Sequence, residues 1–213
     1  MDGLIHLQHL RSLHGLSTDA INQMPANSVR DFEHVVKLLD EMTDEEKAEV
    51  KQDFIRSRYL EQSILERMEA QSSFSAAFAA FEFTLTMTAE SVLNNSYPIF
   101  ELKDFKGQGL ERSKFILRKL GGANNAFSTQ SWARIQDFKK VRDKITHAGG
   151  LVVQGSKDTS YFEGIEEIGL AEFGDGHHFL QIDLSSSYVR SAFEEYDDFL
   201  EMLYRELEES PEC

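Results

Sequence analysis

The distribution of proline is the feature that most constrains this fold. Three prolines occur in the whole chain, and the first two, Pro25 and Pro98, leave a long segment between them with no residue that forces a helix to stop. Apolar residues in this segment recur at helical spacing, in one stripe over 29–42 and in another over 54–92. The sequence therefore predicts N-terminal helices over 1–42 and a long helical region after them.

Capping residues predict where the long helical region begins and ends. Thr43 is followed three residues later by Glu46, which is the pattern of a capping box at a helix N-terminus. The helix is then expected to continue to about Asn95, shortly before Pro98. About fifty residues is long for one helix of a globular protein. Residues 71–73 are the point at which a break in this helix is considered.

Two further helices are marked by glycine stop signals. The first spans 110–120 and stops at a glycine pair. The second is capped by Ser128 or Thr129 and stops at another glycine pair, Gly149-Gly150. The apolar positions of the second helix form one continuous stripe, which contains Trp132, Ile135, Phe138, Val141 and Ile145.

The composition of the segment after Gly150 indicates β-structure. Short apolar runs lie between glycines and serines, and residues 165–183 are predicted to form a hairpin around Gly174-Asp175-Gly176. A final helix over 188–207 has a strongly acidic outer face. Its predicted buried face contains Val189, Ala192, Phe193, Tyr196, Phe199, Leu200, Leu203 and Leu207. The predicted fold class is mainly α: one domain over 1–213, a helical bundle with a small β hairpin inserted before the C-terminal helix.

Charge and cysteine content argue against several classes of function. The net charge is −15, from 37 acidic and 22 basic side chains, whereas a protein that coats duplex DNA needs a basic face. No apolar run approaches about 18 residues, so no membrane span is expected. The N-terminus has neither the basic start nor the small-residue cleavage site of a signal peptide. The one cysteine, Cys213, cannot form a disulfide within the chain, and a cytoplasmic location is therefore expected.

An arginine and a histidine lie five residues apart at the predicted end of the helix that follows Thr129. Cationic side chains in a last turn meet the negative end of the helix dipole, so Arg142 and His147 have a purely structural explanation. On an ideal helix the two side chains point about 140° apart. A catalytic cleft that receives both groups requires a long arginine that reaches round the helix, or the same helix end from a second copy of the chain.

Two carboxylates are candidates for contact with this pair. Asp143 and His147 lie four residues apart and share a helix face, so Asp143 is expected to hold the imidazole by a hydrogen bond and to favour its charged form. Glu82 lies between two phenylalanines on the long helix. It is either a partly buried carboxylate that faces the site or, as is more common for glutamate, a residue that faces water.

The pattern Arg142-Asp143-Lys144-Ile145-Thr146-His147, at a helix end inside an all-α bundle, resembles the HEPN superfamily (higher eukaryotes and prokaryotes nucleotide-binding domain). The second position of the family pattern is usually asparagine, aspartate or histidine, and Asp143 agrees with it. The resemblance rests mainly on residues 128–150 and more loosely on the helices at 44–95 and 188–209. The hairpin has no counterpart in the core of the family and is interpreted as an insertion.

The resemblance implies a metal-independent endoribonuclease with no cofactor. His147 would act as general base or acid on a ribose 2′-hydroxyl, and Arg142 would bind the scissile phosphate, with Asp143 as the third member of the catalytic set. The products would carry a 2′,3′-cyclic phosphate and a 5′-hydroxyl. These residue types suit the chemistry, because histidine titrates near neutral pH and arginine can grip phosphate oxygens with two donors.

The resemblance also implies partners. RNA is the implied substrate, and Lys139, Lys140 and Lys144 would add positive charge for it, although a solvated helix face explains these lysines equally well. The family usually places two motifs across a two-fold axis, which implies a homodimer. The implied role is a toxin or phage-defence effector, with an antitoxin protein as a further partner. The alternative is a non-catalytic HEPN-like module that binds RNA, a nucleotide or another protein.

The remaining histidines do not predict a metal site. His177 and His178 are adjacent on a predicted strand and therefore point to opposite faces. His6 and His9 can share a helix face, but neither they nor His14 has a carboxylate or thiolate partner that the sequence reveals. No metal ligands are therefore assigned.

Overall fold

The computed structural model describes the backbone of residues 2–36, 42–174 and 178–209, and the side chains of 7–24, 42–174 and 178–209. It confirms the predicted fold class, because the described residues form a mainly helical bundle with a small antiparallel sheet before the last helix. The helices are α1 Asp2–Val36, α2 Asp44–Ser96, α3 Gly109–Lys119, α4 Gln130–Ala148, α5 Lys157–Glu163 and α6 Ser186–Glu209. The strands are β1 Leu151–Val153, β2 Ile168–Phe173 and β3 Phe179–Leu184.

Helix α1 is a single helix rather than the separate N-terminal helices that the sequence predicts. It passes through Pro25, which lacks the N–H that would bond to the preceding turn. Contact of α1 with α2 provides tertiary packing that offsets this lost hydrogen bond. The stripe predicted over 29–42 lies in α1 as far as Val36, and residues 37–41 fall outside the described residues.

Helix α2 begins where the capping box predicts. The Glu46 N–H donates to Thr43 Oγ1 at 3.3 Å, and the Thr43 N–H donates to Glu46 Oε2 at 2.8 Å. The helix then continues for 53 residues without a break near 71–73, which corresponds to about 80 Å at the rise of an α-helix. Its buried residues lie from Ala70 onward, so its C-terminal half belongs to the core and its N-terminal half lies outside it.

Aromatic residues of α2, α4 and α6 form the centre of the core. Phe81 stacks on Tyr196 with ring centroids 4.6 Å apart, and Phe138 meets the same tyrosine edge-on at 5.7 Å. Four of the five predicted stripe positions of α4 are buried, and the fifth, Ile145, is partly buried. All eight positions predicted for the buried face of α6 are buried. Periodicity in the sequence therefore identified the inner faces of both helices.

The hairpin is confirmed as β2 and β3, and it is part of a larger insertion than the sequence predicts. Strand β1 pairs with the other edge of β3, which gives an antiparallel sheet in the order β1-β3-β2. With α5, this strand extends the inserted region back to Leu151, whereas 165 was expected as its start. Of the predicted turn, Gly174 is described, and residues 175–177 lie outside the described residues. Within the part of the chain that is described, no helix is both long enough and apolar enough to cross a membrane.

Candidate active site at the end of helix α4

Both ends of helix α4 are fixed by local interactions. Thr129 is the N-cap, and its hydroxyl oxygen accepts a hydrogen bond from the Trp132 N–H at 3.2 Å. At the other end Gly149 has φ +60°, and the Gly150 N–H donates to the Lys144 carbonyl at 3.1 Å. This is the glycine stop that the sequence predicts.

The sheet holds the end of α4 in place. The amide of Gln181, on β3, donates to the Gly149 carbonyl at 2.9 Å, and the Ile182 N–H donates to the Gly150 carbonyl at 2.9 Å. Gly150 is buried with φ +75°, and a Cβ atom there would lie 2.6 Å from Gln181 Nε2 and 3.1 Å from Gln71 Nε2. Glycine is therefore required at this point, both by backbone conformation and by space.

Arg142 lies on the side of α4 that faces α2. Its guanidinium carbon is 4.5 Å from the centre of the Phe78 ring, and its side chain is 20% exposed. Nη2 is 3.3 Å from Glu82 Oε2, and Nη1 is 3.1 Å from Asp143 Oδ1. The charged group is thus held between two carboxylates on an aromatic surface.

Glu82 is partly buried and contacts the predicted site residue Arg142, which was one of its two expected placements. Its other oxygen, Oε1, approaches the N-terminus of α3 so closely that a Cβ atom on Gly109 would clash with it. Glu82 therefore links α2, α3 and α4 at the site.

Two buried polar atoms, one in Arg142 itself and one in Tyr196, have no hydrogen-bond partner among the described residues. They are Arg142 Nε and the hydroxyl oxygen of Tyr196. Burial raises the pKa of Tyr196 well above its ordinary value, the nearby Tyr188 raises it further, and the charge of Arg142 acts in the opposite direction. Tyr196 is therefore a neutral phenol at neutral pH, and it is part of the aromatic packing rather than an acid or base.

His147 lies in the last turn of α4 and is exposed. No hydrogen bond or ion pair joins it to another residue in the described ranges. The expectation that Asp143 holds its imidazole is wrong. Asp143 accepts from Lys139 Nζ at 2.6 Å through Oδ2 and pairs with Arg142 Nη1 through Oδ1, so each of its oxygens already has a partner other than His147.

The three predicted RNA-binding lysines are all in ion pairs. Lys139 pairs with Asp143 at 2.6 Å, and Lys144 pairs with Asp158 at 2.5 Å. Lys140 pairs with Asp137 at 2.9 Å and lies over an aromatic ring of α5. Each lysine charge is therefore compensated locally, and the field that these residues present to a nucleic acid is weaker than their number suggests.

The structure brings Arg142, Asp143 and Glu82 together and leaves His147 apart from them. Arg142 packs toward α2, whereas His147 is exposed at the end of the same helix. The aromatic surface under Arg142 is Phe78, which the sequence identified as part of the α2 stripe but not as a contact of the site. No local signal could have found it, because the contact joins residues far apart in the chain.

The other histidines differ in burial and in their contacts. His14 is buried, and its Nδ1 is 2.8 Å from Glu69 Oε1, a carboxylate partner that the sequence does not reveal. His9 and His178 are exposed, whereas His177 and the side chain of His6 lie outside the described residues. No group of three or more histidine, cysteine or carboxylate side chains suited to hold a metal ion occurs within the described ranges.

Comparisons of the chain with protein-family models, curated proteins and solved structures find no match. The resemblance to HEPN proteins therefore rests on the residue pattern from Arg142 to His147 and on its place at the end of a bundle helix. The geometry of that helix end is the basis for a functional proposal.

Proposed function

We propose that this chain is a metal-independent endoribonuclease of the HEPN type. The observation that carries the proposal is the state of His147, which is an exposed imidazole with no partner in the described ranges, at a helix end that the sheet holds in place. Five residues before it on the same helix is Arg142, whose orientation is set by Phe78 and two carboxylates. A free imidazole and an oriented guanidinium are the groups that cleavage of a phosphodiester beside a 2′-hydroxyl needs.

In the proposed reaction His147 takes the proton of a ribose 2′-hydroxyl. The 2′-oxygen then forms a bond to phosphorus, and the bond from phosphorus to the 5′-oxygen breaks. The departing 5′-oxygen takes up a proton, which a second, protonated histidine can supply. The fragments carry a 2′,3′-cyclic phosphate and a 5′-hydroxyl, and Arg142 stabilises the charge that develops on the phosphate oxygens.

A homodimer is part of the proposal. Arg142 and His147 point about 140° apart on an ideal helix, and Arg142 is packed toward α2. A second copy of the α4 end, related by a two-fold axis, would supply the missing group to each site and would also supply the second histidine. Each cleft would then contain residues of both protomers.

The carboxylates next to Arg142 define how phosphate can bind. The guanidinium donates a hydrogen bond to Glu82 through Nη2 and forms an ion pair with Asp143 through Nη1. In the proposed complex, N–H groups of these two nitrogens that the carboxylates do not use bind the phosphate. Glu82 and Asp143 would therefore fix the direction of the guanidinium while reducing its net attraction for an anion, which favours positioning over affinity.

The test is an RNA-cleavage assay with single-stranded RNA and transfer RNA in the presence of EDTA. We expect the wild-type protein to cut, and His147→Ala to lose at least about 100-fold in rate, which is the contribution of a general acid or base. His178→Ala is the matched control, because His178 is also exposed. The cut ends should be a 2′,3′-cyclic phosphate and a 5′-hydroxyl. Cleavage that requires an added metal ion, or that survives in His147→Ala, contradicts the proposal.

A toxin or phage-defence role, in the cytoplasm and with an antitoxin protein as partner, extends the same proposal. Induced expression of the wild type would then stop bacterial growth, and His147→Ala would not. Growth arrest by both proteins would separate toxicity from the proposed chemistry.

A second candidate is a non-catalytic HEPN-like module that binds RNA, a nucleotide or another protein. The observation in its favour is that Arg142 and the three neighbouring lysines are all in ion pairs, in a chain with a net charge of −15. It predicts no cleavage, and binding that is the same in wild type and His147→Ala. The RNA assay distinguishes the two candidates directly.

A further inference from the structure

A second concave site lies between α1 and the start of α6, and none of its lining residues belongs to α4. Its volume is about 320 Å³, which is within the range of cavities that hold small ligands. Its polar lining residues are Arg11, His14, Thr18, Asp19, Ser186 and Arg190. These side chains give the cavity the hydrogen-bonding groups that a small polar ligand would need.

Two guanidinium groups lie on the wall of this cavity, and they differ in their partners. Arg11 is anchored to α6, because its Nη2 is 2.9 Å from Glu194 Oε1 and its Nη1 is 4.0 Å from Asp197 Oδ2. Arg190 is exposed and has no ion-pair partner among the residues that the structure describes. The cavity therefore has one guanidinium in a fixed position and one that is free to bind an anion.

His14 contributes a buried imidazole to the same wall. It is 6% exposed, and its Nδ1 contacts Glu69, which also accepts hydrogen bonds from Ser17 at 2.7 Å and Ser73 at 2.8 Å. Burial raises the pKa of Glu69, but the hydrogen bonds from Ser17, His14 and Ser73 outweigh burial and lower that pKa. The ionised carboxylate of Glu69 therefore accepts a hydrogen bond from the Nδ1–H group of His14, which fixes the ring in the wall of the cavity.

Two further groups at the cavity have unused hydrogen-bonding capacity. The Thr18 hydroxyl is closed to solvent and has no partner among the described residues. At the start of α6 the side chain of Ser185 accepts from the Tyr188 N–H at 3.0 Å, and its carbonyl accepts from the Val189 N–H at 3.2 Å. The backbone N–H of Ser186 is left without an acceptor in the described part of the chain and adds to the positive end of a 24-residue helix.

We infer that this cavity binds the phosphate group of a small phosphate monoester, held by Arg190, Arg11 and the first turn of α6. Asp19 on the same wall is suited to accept a hydrogen bond from a hydroxyl group of the ligand. Asp19, Glu194 and Asp197 also make the surroundings acidic, which disfavours a polyanion such as RNA and favours a ligand with one phosphate. This site is independent of the proposed nuclease site.

Titration calorimetry with inorganic phosphate and with ribose 5-phosphate tests the inference on the full chain. We expect saturable binding of inorganic phosphate with a Kd in the millimolar range and tighter binding of ribose 5-phosphate. Arg190→Gln should weaken both by about tenfold, which is the effect of losing one charge-assisted hydrogen bond. Arg205→Gln is the matched control, because Arg205 is exposed on the same helix and lies outside the cavity.

The same titrations on Arg142→Gln and His147→Ala separate this site from the proposed nuclease site. The binding that Arg190→Gln weakens should persist in both variants, whether or not the chain proves to cleave RNA. The inference is overturned if neither ligand shows saturable binding, or if Arg190→Gln binds as tightly as Arg205→Gln. It is also overturned if binding is lost in Arg142→Gln and kept in Arg190→Gln, because the phosphate would then belong to the end of α4.

Discussion

Replacement of Gly150 by alanine tests how the sheet fixes the end of helix α4. Gly150 is buried at φ +75°, and the added Cβ would approach Gln181 Nε2 to 2.6 Å and Gln71 Nε2 to 3.1 Å. Both amides are in use, since Gln181 donates to the Gly149 carbonyl and Gln71 donates to the Ile182 carbonyl, each at 2.9 Å. The substitution therefore strains the backbone and displaces two side chains from their hydrogen bonds.

The magnitude follows from these separate effects. A left-handed conformation costs an alanine about 1–2 kcal/mol. The lower conformational entropy of the unfolded chain with alanine offsets about 0.4–1 kcal/mol of that cost. Each displaced amide loses about 1 kcal/mol with its hydrogen bond. The free energy of unfolding should thus fall by about 2–4 kcal/mol in Gly150→Ala.

Gly149→Ala is a matched control from the adjacent position. Its φ is +60°, but no atom lies within 4 Å of the added Cβ, so it measures backbone strain without the contacts. Urea denaturation followed by circular dichroism gives the free energy of unfolding of both variants. Gly150→Ala should unfold at a lower urea concentration than Gly149→Ala, with a similar dependence of the free energy on urea concentration. Equal destabilisation of the two variants would refute the reasoning, because the amide contacts would then contribute nothing.

Two further predictions concern buried polar groups. Tyr196→Phe removes a buried hydroxyl that has no partner in the described ranges, so the free energy of unfolding should stay within about 1 kcal/mol of wild type or rise; a larger loss in urea denaturation would mean that the hydroxyl is hydrogen-bonded. Glu69 has a pKa below its ordinary value of 4.5, so its stabilising effect is present above that pH and is lost as the pH falls through the folded-state pKa. Wild type should therefore lose more stability than Glu69→Gln when urea midpoints are compared below pH 4.5, and parallel pH profiles would contradict this assignment.

Local signals in the sequence were sufficient to predict where the main helices begin and end and which of their faces are buried. The capping box at Thr43, the cap at Thr129 and the glycine stop after His147 involve residues within one or two turns of each other, so the interactions that they encode are complete in the sequence. The apolar stripes of α4 and α6 repeat with the period of a helix and therefore identify the inner faces correctly. The hairpin was recognisable for the same reason, since its strands are neighbours along the chain.

Strand β1 and helix α5 were missed because their signals are short or non-local. β1 is three residues long and acquires its partner, β3, from a segment almost thirty residues away. Helix α5 has seven residues, which is too few for a periodic pattern. Pro25 was also a misleading signal, since contact with α2 keeps α1 continuous through it.

At the candidate site the sequence determined which reactive groups are present, and tertiary structure decided their partners. The spacing of Arg142 and His147 on one helix was visible in the sequence. The exposure of these two side chains and their neighbours became known only from the structure. Glu82 reaches Arg142 across 60 positions of the chain, and Asp143 pairs with Arg142 and Lys139 rather than with His147. The physical reason is that helix periodicity and capping depend on residues a few positions apart, whereas an ion pair between helices depends on how close packing of the core brings their surfaces together.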